Sequence, residues 1–103
     1  MHKPTSRFQG IVQGIGIVRA RSEVINSAGE QTEIIELKIA FPEQMRARTA
    51  LAVGAEVAVN GVCLTIRQIE AERIGFWIFP ETLARTTLAE AKPGQRVNLE
   101  YPL

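Results

Sequence analysis

Glu56-Val57-Ala58-Val59-Asn60-Gly61-Val62-Cys63-Leu64-Thr65-Ile66-Arg67-Gln68-Ile69 is the stretch on which the fold turns. Apolar β-formers stand on both sides of an Asn-Gly pair, and Asn-Gly accepts the positive φ that a type I′ turn demands at both central residues. The reading is a tight hairpin of two strands, Glu56–Val59 and Val62–Ile69. Downstream, Ile74–Phe79 (IGFWIF) is a further strand with large side chains on both faces. Upstream, Thr32–Ala40 alternates: Ile35, Leu37 and Ile39 point one way, Glu36 and Lys38 the other, as in a half-buried strand. Phe8–Val24 mixes Ile and Val with Gly10, Gly14 and Gly16, and glycine inside a β-branched run favours a bent or bulged strand. The turn cluster Asn26-Ser27-Ala28-Gly29 joins these two runs into a second hairpin. Arg96–Tyr101, after the turn Lys92-Pro93-Gly94-Gln95, is the last strand. Two short helices are expected: Glu43–Ala50, with Pro42 suited to its first turn, and a segment opening at Pro80-Glu81-Thr82-Leu83.

Six strands and two short helices in 103 residues define an all-β class. A closed antiparallel barrel is expected, because closure removes exposed strand edges. The composition agrees, with 46% hydrophobic and 22% charged residues, ordinary for a globular domain. Lys plus Arg total 12 against 11 Asp plus Glu, a net charge of +1 that gives no footprint for nucleic acid or an anionic membrane. Residues 1–7 read as a polar N-terminal extension without the apolar core of a secretory signal, and 8–103 as a single domain. The one cysteine, Cys63, excludes an intramolecular disulfide and any multi-cysteine metal site, and a reducing, cytoplasmic location follows as the simplest expectation. The one histidine, His2, lies in the polar tail, which argues against a metal site or a Ser-His or Cys-His couple.

Read from residue type alone, the notable side chains have ordinary explanations. Gly10, Gly14 and Gly16 form no GxGxxG fingerprint and suit barrel corners. Cys63 on an apolar strand suits a small core position. Phe8 and Trp77 suit core or interface positions, Thr82 a helix cap, and Arg85 a solvated charge.

Three blocks taken together point further. They are Phe8-Gln9-Gly10-Ile11-Val12-Gln13-Gly14, then Val59-Asn60-Gly61-Val62-Cys63-Leu64-Thr65-Ile66, then Phe79-Pro80-Glu81-Thr82-Leu83 with Arg85-Thr86-Thr87-Leu88, Gly94 and Val97-Asn98-Leu99-Glu100. In order and spacing, from Phe8 to about Glu100, they resemble the lumazine-binding domain of riboflavin synthases and lumazine proteins.

The resemblance implies a six-stranded Greek-key barrel that binds 6,7-dimethyl-8-ribityllumazine or riboflavin. In the synthase two such barrels stand in tandem, and two lumazines dismutate to riboflavin and a ribitylaminopyrimidine with no cofactor or metal required. It puts Gly10, Ile11 and Val12 at the ring through main-chain atoms, Cys63 and Thr65 at polar atoms of the ligand, and Thr82 at the ribityl hydroxyls or ring edge. Trp77 and Phe79 fall near the ligand, where the family has smaller or polar side chains. Cys63 and Phe8 take the catalytic positions. Gln9 replaces the usual Thr, and Glu56 stands where a small polar residue such as Ser is common.

The second barrel, which would open on a Gly-Gly-His…Gly-His segment, is not in this sequence. The implied state is therefore a homodimer with one ligand per subunit and little or no turnover by a lone domain. The alternative is a carrier or sensor that holds riboflavin, FMN or a lumazine without reaction. A barrel serving only protein interaction is a third reading.

Overall fold

Asn60 and Gly61 adopt φ of 49° and 80°, the positive values a type I′ turn requires. They fold β3 (Glu56–Val59) onto β4 (Val62–Glu70). The register pairs Glu56 with Thr65, Val57 with Leu64, Ala58 with Cys63 and Val59 with Val62. Because side chains alternate along a strand, Val57, Val59, Leu64 and Ile66 face the core, while Glu56, Ala58, Cys63 and Thr65 share the outer face.

The computed structural model describes residues 8–48 and 51–102. The expected tail at 1–7, with His2, and the last residues of the first expected helix lie outside the described residues. Around the central hairpin stand β1 (Gly14–Ile25), β2 (Gln31–Ala40), β5 (Arg73–Ile78) and β6 (Arg96–Glu100). The six strands close into a barrel in the order β1-β2-β5-β4-β3-β6, and every pairing is antiparallel. β3, β4 and β5 follow one another as hairpins, and β6 returns beside β3, which is the Greek-key order. Two short helices, α1 (Glu43–Arg48) and α2 (Pro80–Arg85), complete the expected inventory, and a 3₁₀ turn at Thr87–Glu90 follows α2. That turn is capped by the Thr86 hydroxyl, which accepts from the Leu88 N–H at 3.2 Å.

The core is one cluster, with Val18, Leu37, Ile39, Val57, Ile66, Phe76 and Leu99 sealed inside. It dictates two of the glycines. A Cβ on Gly16 would stand 2.7 Å from Ile39 Cγ2 and 2.9 Å from Leu99 Cδ1, and one on Gly14 would collide with Met45 Sδ. These two are close-packed positions, while the register of β1 breaks further along, between Val18 and Ala20 and between Glu23 and Ile25.

The first strand is shorter than its sequence implies: it begins at Gly14, and residues 8–13 carry no strand. The physical reason is that this segment bonds to β6 largely through side chains. The Glu100 carboxylate accepts from the N–H of Gln9 at 2.6 Å and of Gly10 at 3.0 Å, and the Gln13 side-chain carbonyl accepts from the Tyr101 N–H at 2.7 Å. At the other boundaries, Phe79 leaves the sheet to become the N-cap residue of α2, and Tyr101 lies just beyond β6.

Candidate functional site

The outer face of the barrel wall, unlike the core, carries side chains with chemistry. On β4 the outward residues are Cys63, Thr65 and Arg67. On β5 the outward position opposite them is Trp77, between the core residues Phe76 and Ile78. Phe79 follows as the chain turns into α2, half exposed, and Thr82 lies one turn further on. Together with Leu64 these residues line an open hollow of about 300 Å³.

A β-bulge shapes one wall of that hollow. β4 pairs Ile66 with Phe76 and Gln68 with Gly75, so Arg67 is an extra residue on its strand. Bulges re-aim the side chain they carry. Here the Arg67 guanidinium stands over the Trp77 ring, 3.6 Å from its centroid, a cation–π contact that covers one face of the indole.

Cys63 does not take the core position that residue type suggests; it is exposed, because Leu64 and Ile66 occupy the inward sites of β4. Its sulfur is nevertheless partly covered. That covering, then a hydrogen bond to the Glu56 carboxylate and the negative charge behind it, pushes the thiol pKa from 9.0 up to about 11. At neutral pH Cys63 is therefore a thiol donating to a carboxylate, and not a thiolate nucleophile. Thr82 does not cap α2: the N-cap is Phe79, which makes no side-chain cap bond, and its carbonyl accepts the Leu83 N–H at 3.0 Å.

The expected contacts from the N-terminal segment lie elsewhere on the same face. Gly10 and Val12 line a second hollow, of about 230 Å³, with Ala58, Asn60, Gly61, Asn98, Leu99 and Glu100. Gly10 sits at φ +77°, and a Cβ there would meet nothing within 4 Å, so backbone conformation rather than crowding calls for glycine. Ile11 and Val12 follow, 59% and 51% exposed. Phe8 is half-buried, and neither Phe8 nor Ile11 lines either hollow.

What joins the two hollows is β3. Ala58 lines the second hollow and is the register partner of Cys63 on one side and of Glu100 on the other. With neighbouring strands about 4.8 Å apart, the two hollows are separated by the width of a single strand. The expected residues thus form two groups on one wall: Cys63, Thr65, Trp77, Phe79 and Thr82 in one, Gly10 and Val12 in the other.

Arg67 and Glu100 are additions that residue-type reading passes over. Among the described residues, no group of three or more His, Cys, Asp or Glu is placed to hold a metal ion.

Fold and site together define a small Greek-key barrel whose chemistry lies on its outer wall. The lumazine binding domain family model matches residues 9–102, and the chain belongs to that family. It is 38% identical over 93 residues to the riboflavin synthase of Escherichia coli (strain K12), an alignment covering 90% of this chain and 39% of that protein. It is 49% identical over 55 residues to the riboflavin synthase of Chlamydia pneumoniae, covering 53% of this chain and 28% of the other. Among solved structures, LumP complexed with 6,7-dimethyl-8-(1'-D-ribityl) lumazine superposes with a TM-score of 0.77 at 31% identity, covering 91% of this chain and 48% of that one. LumP complexed with riboflavin and LumP complexed with flavin mononucleotide match with the same TM-score and identity. The chain spans less than half the length of these relatives.

Proposed function

We propose that this chain binds 6,7-dimethyl-8-ribityllumazine and riboflavin on the outer wall of its barrel, one ligand per domain, as the counterpart of one barrel of riboflavin synthase. The observation that carries the reading is the hollow lined by Cys63, Thr65, Trp77, Phe79 and Thr82 in a chain of this family. A flat ring with polar edges needs an apolar face to lie on and a few donors and acceptors at its rim. Trp77 and Phe79 offer the face. The Thr65 and Thr82 hydroxyls offer the rim, since each can donate or accept. Gly10, Ile11 and Val12 bring main-chain groups to the ring from the other side of β3, and Phe8 stands at the start of that segment. Cys63 acts as a neutral hydrogen-bonding group beside Glu56.

Joining two lumazines requires two rings face to face, and one barrel supplies one ring. We therefore propose a homodimer as the state in which two ligands can meet, with little or no turnover by the single domain. C2 pairing is the commonest assembly and repeats the same face on both subunits. A carrier that binds without reaction is the alternative, and the appearance of riboflavin from the lumazine decides between them. Residues 8–103 act as one domain in this reading, and its place is the cytoplasm.

Trp77 is the only tryptophan and lines the hollow, so its emission reports on occupancy. Titration with riboflavin quenches both Trp77 and flavin emission, and Trp77→Phe, which removes both the protein reporter and part of the face the ring lies on, also weakens the quenching of the flavin. Incubation with the lumazine then separates binding from turnover by the appearance of riboflavin. A chain that quenches neither fluorophore with riboflavin or with the lumazine overturns the reading.

A further inference from the structure

Glu100 is the one charged residue buried among the described residues, at 8% exposure. It is not buried by facing the core. Along β6 the core positions are Val97 and Leu99, while Arg96 and Asn98 are exposed, so alternation turns Glu100 outward with them. What covers it is the segment 8–13, lying across the outer wall. Both carboxylate oxygens are used there: Oε2 accepts from the Gln9 N–H at 2.6 Å and Oε1 from the Gly10 N–H at 3.0 Å. The far end of the segment is tied as well, with the Gln13 N–H donating to the Leu99 carbonyl at 2.8 Å and the Gln13 side chain accepting from the Tyr101 N–H at 2.7 Å. Between these two ties Ile11 and Val12 project, more than half exposed.

An exposed apolar segment with free backbone torsions would fold down onto the nearest apolar surface or fray. The carboxylate opposes both outcomes. A charged acceptor makes stronger bonds to N–H groups than a neutral one, and a two-pronged grip fixes direction as well as position. Gly10, at φ +77°, is where the chain turns under that grip.

We infer that Glu100 is a positioning residue: its carboxylate, both oxygens of which accept from the Gln9 and Gly10 N–H groups, holds the Gly10–Val12 edge of the second hollow in the conformation that receives the ligand ring. This rests on the lumazine and riboflavin binding proposed above and names the group that pre-forms one side of that site. Binding that needed the edge to order itself first would lose affinity by the cost of ordering it.

The test uses the full chain, with riboflavin as the probe, in four forms: wild type, Glu100→Gln, Glu100→Ala and the control Glu72→Gln. Glu72 lies outside both hollows and pairs only loosely, at 4.0 Å, with its neighbour Arg73. Glu100→Gln keeps one acceptor and weakens riboflavin binding roughly threefold, while Glu100→Ala keeps none and weakens it roughly tenfold or more, in line with losing charge-assisted hydrogen bonds. In both, amide exchange speeds up at Gln9 and Gly10 while the β2 and β5 amides stay protected, because the freed N–H groups hydrate on the outer wall. Glu72→Gln binds as wild type does.

Wild-type affinity in a folded Glu100→Gln with deprotected Gln9 and Gly10 amides overturns the positioning role. So does a loss of affinity that tracks global unfolding of both variants. A wild-type chain that fails to bind riboflavin or the lumazine overturns the proposed function instead, and the positioning role with it. If Glu100→Ala does not fold, Glu100→Gln alone decides.

Discussion

Replacing Glu56 by Ser turns the electrostatics of the site into a rate. The Cys63 thiol titrates at about 11 instead of 9.0, with burial as the largest cause and Glu56 supplying the other two, a hydrogen bond and a negative charge. Burial survives the substitution, so the shift shrinks without vanishing. With the two Glu56 causes taken together as about half of the rise, the thiolate fraction grows roughly tenfold at about pH 8, since it scales with the pKa well below it. Each thiolate is then a weaker nucleophile, by about threefold for a Brønsted slope of 0.4–0.5. The net expectation is a threefold to fourfold faster exchange of Cys63 with an aromatic disulfide at about pH 8, from the same two effects. Glu56→Gln keeps an acceptor but removes the charge, and falls between wild type and Glu56→Ser. Cys63 is the only cysteine, so the released chromophore reports a single site. Rates below about pH 9 suffice, which keeps the protein away from alkaline unfolding. Equal rates in all three forms, or a slower Glu56→Ser, would refute the assignment of Glu56 as the group that holds the proton on sulfur.

Two further expectations concern stability. Gly16→Ala places a methyl where Ile39 and Leu99 already stand under 3.0 Å away, with the Ala40 carbonyl at 3.2 Å, and costs about 1–3 kcal/mol by overpacking, read as a lowered urea midpoint. Gly10→Ala, which meets open space, is the contrast for crowding. Tyr101 has a buried hydroxyl with no hydrogen-bond partner among the described residues, and Tyr101→Phe removes it, a change worth zero to about 1 kcal/mol in favour of the folded state. Burial, opposed in part by the Arg46 charge, raises the Tyr101 pKa from 10.0 to about 12. The unfolded phenol therefore ionises first, and the contribution present below pH 10.0 is lost as pH rises toward 12. Urea midpoints compared at neutral and alkaline pH show a smaller alkaline loss in Tyr101→Phe than in wild type, and equal losses would contradict the burial of the phenol.

What was legible in the sequence was what neighbours decide. Asn60-Gly61 announces its turn because the φ requirement is local, and Thr32–Ala40 announces a face because Ile35, Leu37 and Ile39 repeat every second residue. Alternation also held the answer for Cys63: with Leu64 and Ile66 inward, it had to face out, and residue type alone misled. Two features were beyond local pattern. The bulge at Arg67 depends on how β4 lies against β5, and a one-residue slip leaves no mark in either strand. The missing strand at residues 8–13 depends on the Glu100 carboxylate far along the chain, while Glu100 itself reads as an ordinary outward charge on an alternating strand. The three blocks marked the right wall of the barrel, yet they could not show that Gly10 and Val12 line a different hollow from Cys63 and Thr65, because β3 comes between them only in three dimensions.

The tie between Gln9 and Glu100 spans 91 positions of a 103-residue chain, and it bears on when the site comes into being. The hairpin at Asn60-Gly61 can close as soon as its own strands exist, whereas the edge at Gly10–Val12 waits for the last strand. Contacts between such distant positions are entropically costly until the rest of the chain has collapsed around them. All the residues that line the hollow beside Cys63 are present once Thr82 has been made, whereas the one beside Gly10 also needs Asn98, Leu99 and Glu100. An incomplete chain thus has half of this outer wall, and the wall becomes whole only when β6 has docked.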